Sequence, residues 1–258
     1  MEPTGHILQI RGAVRTYGAL RAVDGFNLAI APGERHGLIG ANGAGKSTLF
    51  ALVAGTVQPT EGRIVLDGRD VTEQPPHQRI RAGMRRTFQT SQIVPDLTLV
   101  ENVSLAILGL SNGRLSPLRG RARKVRDEAR RVLDFVGLGG RGDELAMRLS
   151  HGERRQLELA GAFVGEPKVI LLDEPAAGLS ARERDLLFRR LSDLGREAAL
   201  VMIEHDMTFA LGLTDRLSVM HAGRLIATGR PDDIAKDERV HDIYLGSYET
   251  SRRAPVGA

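Results

Sequence analysis

Gly40-Ala41-Asn42-Gly43-Ala44-Gly45-Lys46-Ser47 decides the reading of this chain, because it matches the phosphate-binding loop pattern G-x-x-x-x-G-K-[ST] at every fixed position. The glycines let the backbone bend so that successive N–H groups converge on phosphate oxygens with no Cβ in the way. Lys46 adds a point charge for the outer phosphates, and the hydroxyl of Ser47 is of the kind that ligates a magnesium ion. The flanks agree. Arg35 to Ile39 is short and apolar enough for a buried strand, and Ser47 to Ala54 reads as a helix whose N-terminal dipole faces the anion. A glycine-rich turn with an incidental lysine is the bland alternative, and strand, loop and helix in that order argue against it.

A rhythm of strands and helices extends outward from the loop. Upstream, Leu8, Ile10 and Ala13, then Ala22-Val23, Phe26, Leu28 and Ile30 alternate with polar residues, with turns near Gly18 and at Ala31-Pro32-Gly33. Gly62 to Leu66 reads as a strand closed by Asp67-Gly68. Val100 to Leu108 and Arg123 to Val136 carry helical apolar spacing, and a Gly/Ser/Pro-containing connector, Gly109 to Gly120, separates them. From Lys168 the order is strand (Val169–Leu172), helix (Ala181–Leu194) and strand (Ala198–Ile203). Two more strands follow, around Arg216–Met220 and Arg224–Ala227. This alternation predicts an α/β fold with a mainly parallel sheet covered by helices, the middle helices forming an insert. Pro231 to Gly246 reads as short helices, and Ser247 to Ala258 as a frayed tail.

Two further stretches carry chemistry. Val169 to Leu172 is an apolar strand that runs into Asp173, Glu174 and Pro175. If it finishes beside the phosphate loop, Asp173 can hold magnesium through water and Glu174 can polarise an attacking water. Two solvated acids at a strand end are the alternative. Leu149-Ser150-His151-Gly152-Glu153 precedes a helical run from Arg154 to Phe163, and Ser150 with Glu153 is a capping box. An exposed helix start with Ser and Gly is also an anion site, so a chain with one phosphate loop and a second phosphate-ready helix tip suggests that the two meet across a dimer.

Bulk properties narrow the class. A chain of 258 residues with 41% hydrophobic and 26% charged residues has the balance of an ordinary globular protein. The absence of cysteine excludes disulfides and thiolate metal sites. Met1 to His6 shows no basic segment followed by an apolar one, so no secretory signal is expected, and the longest apolar runs fall far below the ~20 residues of a membrane helix. Any membrane role must therefore come through another subunit. The net charge of +4 is concentrated between Ser111 and Arg131, where eight basic residues face Asp127 and Glu128. The block has no aromatic residue to stack on bases, which favours a solvated helix face over nucleic acid. Contact with anionic lipid headgroups or a partner's loop is the third reading.

With these residues in place, the chain resembles the ATP-binding subunits of ABC transporters over essentially its whole length. Leu149 to Glu153 is similar to the signature motif of that family, written L-S-G-G-Q. Gln89 falls at the Q-loop glutamine, His205 at the switch histidine, Tyr17 at the aromatic residue that stacks on adenine, and Ala177-Gly178-Leu179 at the D-loop. The resemblance implies a P-loop NTPase (RecA-like) core with an N-terminal antiparallel β subdomain and an inserted α-helical subdomain. Residues 1–246 then form a single ATPase domain with the insert at about 90–152, and 247–258 form a flexible tail. It also implies ATP and Mg2+ as ligands. Tyr17 would lie on the base, with Asn42, Gly43, Ala44, Gly45, Lys46, Ser47 and Thr48 around the phosphates. The partner subunit's Ser150, Gly152 and Glu153 would close the site, Ser47, Gln89 and Asp173 would serve the metal, and Glu174, His205 and Gln89 would carry the chemistry.

The implied partners are transmembrane permease subunits, a second ATPase subunit (self or paralogue) and, indirectly, a solute-binding protein, with no nucleic acid. The implied location is peripheral, on the cytoplasmic face of the membrane. His151, Glu153 and Ser180 depart from the family pattern. Ser180 makes another S-x-x-E cap with Glu183, while Glu153 can accept a hydrogen bond but not donate one. These departures, with Arg86-Thr87-Phe88-Gln89, Asp173 to Leu179 and Ile243-Tyr244-Leu245-Gly246, are similar to the branched-chain (hydrophobic) amino-acid uptake subfamily. Importer subunits for urea or short amides read much the same. A soluble ABC-type ATPase acting on nucleic acid or ribosomes is the rival from another class, and the single set of motifs speaks against it.

Overall fold

The computed structural model describes residues 5–87, 93–110 and 119–240. The first half contains β1 (Leu8–Tyr17), β2 (Leu20–Ile30), β3 (Arg35–Ile39), α1 (Lys46–Ala54), β4 (Glu61–Leu66), β5 (Arg69–Asp70), α2 (Pro76–Arg81) and β6 (Met84–Arg86). Three helices follow: α3 (Leu99–Gly109), α4 (Arg119–Val136) and α5 (His151–Ala162). The last third runs β7 (Val169–Asp173), α6 (Ala181–Ser192), β8 (Ala199–Ile203), α7 (Met207–Leu213), β9 (Arg216–His221), β10 (Arg224–Gly229) and α8 (Pro231–Ile234).

The strands form two sheets. One is antiparallel, in the order β2-β1-β4-β5; the other runs β10-β9-β3-β8-β7-β6 and is parallel except at its β10 edge. Residues of β7 and β8 alternate between two cores, as the two-residue period of a strand requires. Val169, Leu171, Ala199, Val201 and Ile203 join a cluster with Leu49, Leu52 and Val53 of α1 and with Ile10, Phe26 and Ile64 of the antiparallel sheet. Ile170, Leu172, Leu200 and Met202 join the opposite cluster, built from α3, α4, α5, α6 and α7. The phosphate-loop helix is thus held between the two sheets, and the helical insert shares its core with the far face of the parallel one.

Three capping boxes start α3, α5 and α6, at Thr98/Glu101, Ser150/Glu153 and Ser180/Glu183. The last two are those read from the sequence. Helix α4 buries Val125, Ala129, Leu133 and Val136, whose steps of three and four residues place them on one stripe. Arg123, Lys124, Arg126, Arg130 and Arg131 are exposed on the other side, as a solvated helix face requires. Arg123 pairs with Asp127 at 3.9 Å and Arg130 with Asp143 at 3.3 Å.

The structure departs from the expected elements in short segments and at helix ends. Strand β6 and helices α2 and α7 are additions to the sequence reading, because each is short and β6 reads as two arginines. Arg85 is nevertheless buried, donating to the carbonyls of Val164, Ile80 and Met84. The ends of α4, α5 and α6 shift by one to four residues from the expected limits, and the earlier starts of α4 and α5 exceed the one or two residues by which definitions of a helix end differ. Strand β8 runs between β3 and β7, so the acids that end β7 reach the phosphate loop from the second strand over. Residues 241–246 and the tail 247–258 lie outside the described residues, as does most of the connector before α4.

Candidate functional site

The parallel strands β3, β7 and β8 all deliver their C-terminal ends to one side of the sheet, where open α/β sheets bind ligands. From β3 the chain enters the phosphate loop. Gly43 and Gly45 adopt positive φ (78° and 102°), and a Cβ on Gly45 would run into the carbonyl oxygen of Ala22. The turn between β9 and β10 braces the loop from behind. Gly223 donates its N–H to Ala44 O at 2.9 Å, and Asp24 donates its own to Gly223 O at 2.9 Å. Lys46 is buried, its Nζ donating to Gly40 O at 2.7 Å and Ala41 O at 2.9 Å. Burial lowers the proton affinity of this ammonium, and the negative charges of Glu174 and Asp173 act against that shift.

From β7 come the two carboxylates. Asp173 is fully buried: its Oδ2 accepts from Arg86 Nη2 at 3.1 Å, and its N–H donates to Thr87 Oγ1 at 3.0 Å. Its second oxygen, Oδ1, is buried with no hydrogen-bond partner. Glu174 takes φ 48°, an uncommon conformation for a residue with a side chain, while its N–H donates to Ile203 O at 3.0 Å. Arg155 from α5 donates to the carbonyls of both acids, at 2.7 and 2.9 Å. These anchors set the turn that aims the Glu174 carboxylate out of the sheet.

From β8 comes His205, whose Nε2 lies 2.8 Å from Glu174 Oε1. The residue before it, Glu204, is buried and accepts N–H groups from Ala176 at 3.1 Å and His205 at 3.2 Å. Burial raises its proton affinity above that of an ordinary carboxyl group; the backbone N–H groups act the other way, and the charge of Glu174 adds to the rise.

These groups line one cleft of about 580 Å3, which brings together Tyr17, Asn42, Gly43, Ala44, Gly45, Lys46, Ser47, Thr48, Glu174 and His205. Tyr17 stands at its edge, about half exposed, with the Arg15 guanidinium 4.6 Å from the ring centroid. One face of the ring is covered by a cation that is itself tied to Gln58 O at 2.9 Å. An aromatic ring at the mouth, the phosphate loop along the floor and a carboxylate–histidine pair beside it suit a nucleotide with its phosphates pointing inward.

Ser150, Gly152 and Glu153 do not line this cleft. They form the start of α5, where Ser150 Oγ accepts from Glu153 N–H at 3.3 Å and Glu153 Oε2 accepts from Ser150 N–H at 2.8 Å. Glu153 also pairs with Arg141, and these hydrogen bonds, the arginine's first, lower its pKa. Its carboxylate is thus engaged within its own subunit. Gly152 faces the carboxylate of Glu183, which a Cβ would strike. Gln89 lies outside the described residues.

Magnesium fits the donors present. Ser47 lies in the first turn of α1, and the unpartnered Oδ1 of Asp173 is an acceptor held in a dry site. No group of three or more His, Cys, Asp or Glu that could hold a metal ion by itself occurs among the described residues. Sequence reasoning quoted Arg86 and Thr87 only within a motif, with no role at the site, and missed Arg155 and Glu204. Glu204 follows an apolar run in the same way as Asp173, and that shared pattern is the signal that could have found it.

A family profile described as ABC transporter matches residues 23–177, and one described as branched-chain amino acid ATP-binding cassette transporter matches residues 224–250. The high-affinity branched-chain amino acid transport ATP-binding protein LivG of Escherichia coli is 35% identical over 249 residues, covering 93% of this chain and 98% of that protein. The lipopolysaccharide export system ATP-binding protein LptB of Haemophilus influenzae is 34% identical over 241 residues, covering 93% and 97%. A crystal structure of an ATP-binding cassette of an ABC transporter in its ADP conformation superimposes with a TM-score of 0.81 at 30% identity, covering 94% of this chain and all of that one.

Proposed function

This chain belongs to the ABC transporter ATP-binding family, and from that premise we propose that it is the ATP-hydrolysing subunit of an importer for branched-chain or other hydrophobic amino acids. The observation that carries the hydrolytic reading is the 2.8 Å contact between Glu174 and His205 in the cleft that also holds the phosphate loop. The match of residues 224–250 supports the cargo, because overall identity alone does not separate LivG from the lipopolysaccharide-export relative.

In this reading Tyr17 stacks on adenine, and the N–H groups and Lys46 of the loop hold the phosphates. Glu174 orients a water and takes its proton as the water oxygen attacks the γ-phosphorus and the bond to the ADP oxygen breaks. His205 steadies the Glu174 carboxylate and contacts the γ-phosphate. Ser47, Gln89 and Asp173 would hold magnesium together with ATP, and the ion would supply positive charge against the phosphates. The partner subunit's Ser150 and Gly152 close over the γ-phosphate, with Glu153 setting the cap that presents them. Two such subunits, identical or paralogous, then close on ATP and reopen after hydrolysis, and the permease responds.

No helix among the described residues is long and apolar enough to cross a membrane, and in this reading the permease is made of separate chains. The chain then sits peripherally at the cytoplasmic face as one ATPase domain through residue 246, with no nucleic-acid partner. Reconstitution with its permease and solute-binding protein tests the cargo. Hydrolysis stimulated by leucine, isoleucine or valine is expected, whereas stimulation only by urea, short amides or a lipid would reassign it.

A further inference from the structure

Strands β7 and β8 end in register, with Asp173 opposite Ile203, and both then leave the sheet toward the cleft. The last link of the ladder is the 3.0 Å bond from Glu174 N–H to Ile203 O. Past that point the two loops must be joined by something else if Glu174 and His205 are to stay 2.8 Å apart. Arg184 of α6 pairs with Asp206 at 2.8 Å farther out, and the side chain of Glu204 joins the backbones of the two loops next to Glu174 and His205. One oxygen accepts the N–H of Ala176, in the loop after β7, and the other accepts the N–H of His205, in the loop after β8.

We propose that Glu204 is a positioning residue for hydrolysis, its buried carboxylate tying the two exit loops together and so holding His205 against Glu174. The proposal rests on the ATPase reading above. Glu204 does not line the cleft, so it acts through the backbone rather than on the nucleotide. Its chemistry explains the residue type. N–H donors that converge from two loops, Ala176 on one side and His205 and Asp206 on the other, need both oxygens of a carboxylate; an amide offers one acceptor and turns a donor toward the second loop's N–H. Removing water from a carboxylate is costly, and burial raises its proton affinity here. A neutral residue would suffice if nothing more than a closed turn were needed.

The near-isosteric variant Glu204→Gln tests this, measured beside wild type in the assembled transporter. The turnover number for ATP should fall about 10- to 100-fold, the range expected when a catalytic group is misplaced by about an ångström. KM for ATP should stay within about twofold, and so should the concentration of Mg-ATP needed for thermal stabilisation of the isolated chain. The decisive measurement is the double-mutant cycle with His205→Ala. If Glu204 works through His205, adding E204Q to H205A should cost less than about twofold more. An unchanged turnover number in E204Q, or the same fold loss with and without His205, overturns the proposal. Should E204Q fail to fold, Glu204→Asp enters the same cycle, because its shorter arm keeps the charge but cannot span both N–H groups. No hydrolysis by the wild-type complex would sink the ATPase reading itself, a result distinct from either of those.

Discussion

Arg86 Nη2 lies 3.1 Å from Oδ2 of Asp173, a carboxylate with no exposed surface. The arginine comes from the edge strand β6 and the acid from its parallel neighbour β7, so the pair crosses the strand boundary just below the cleft. It sets a positive charge against a carboxylate that has no contact with solvent.

Replacing Arg86 by Met therefore leaves a buried carboxylate without its partner. Removing one member of a buried ion pair costs about 3–5 kcal/mol. Arg86 keeps some solvent contact, so the lower end is expected. Urea denaturation of R86M should show a reduced midpoint with an unchanged slope; an unaltered midpoint would mean that the pair is structurally idle.

The phosphate loop, its strand and helix, the acids ending β7 and two of the capping boxes are legible in the sequence because each is a local pattern with a local physical cause. Arg86 and Glu204 are not, because their meaning depends on which strands are neighbours, and β6 is three residues long. Arg79 shows the same limit. No local pattern marks it, yet it is fully buried and donates to the carbonyls of Leu52 and Val53 at the end of α1 and of Thr72 and Gln74. Only the folded chain reveals that it caps the phosphate-loop helix. The gap between Ser150 and the cleft is of another kind: two phosphate-ready elements in one chain already suggest a dimer.

Lys46→Ala should abolish most nucleotide affinity while leaving the fold intact. Its ammonium is held by the carbonyls of Gly40 and Ala41, and its burial already disfavours the charge, so the folded chain loses little without it. Saturating ligand at about 100 times Kd stabilises a protein by about 2.7 kcal/mol. Wild type should show a thermal shift of that order with Mg-ATP, and K46A almost none. An equal shift in both would refute the loop assignment.

Tyr17→Ala should weaken ATP binding by about 1–3 kcal/mol, if base stacking here follows the scale for nucleic acids. Arg15→Ala removes the cation behind the ring without removing the ring, so it should cost less than Y17A. Titration of both variants with ATP checks the order. Affinity unchanged in Y17A would assign the tyrosine to the hairpin alone.

Asp215 makes a pH-dependent contribution to the start of β3. Burial pushes its pKa up, but hydrogen bonds from Arg196 and the Arg35 N–H outweigh this and hold it below the usual carboxylate range. A lowered folded pKa gives stability that is present above the unfolded value and lost as pH falls through the folded one. Asp215→Asn should therefore melt earlier than wild type at pH 7, and the difference should narrow as the solution is acidified through and below the ordinary aspartate range. A deficit that stays constant with pH would trace to shape rather than charge.

Glu174→Gln is the sharpest test of the proposed chemistry. The amide keeps nearly the same shape and can still lie beside His205, so ATP binding should survive. It cannot take a proton from water, and general-base help is typically worth about 10²–10⁴ in rate. With hydrolysis blocked, the ATP-bound closed pair should accumulate, because each bridging nucleotide adds its contacts to both subunits. If the chain pairs with itself, gel filtration with magnesium and ATP should show a dimer that ADP does not support. If it needs a paralogue, the dimer should appear only when that chain is added. Near-normal hydrolysis by E174Q under either arrangement would remove Glu174 from the role of base. The left-handed turn at φ 48° and its anchors to Ile203 and Arg155 would then have to serve something other than aiming that carboxylate.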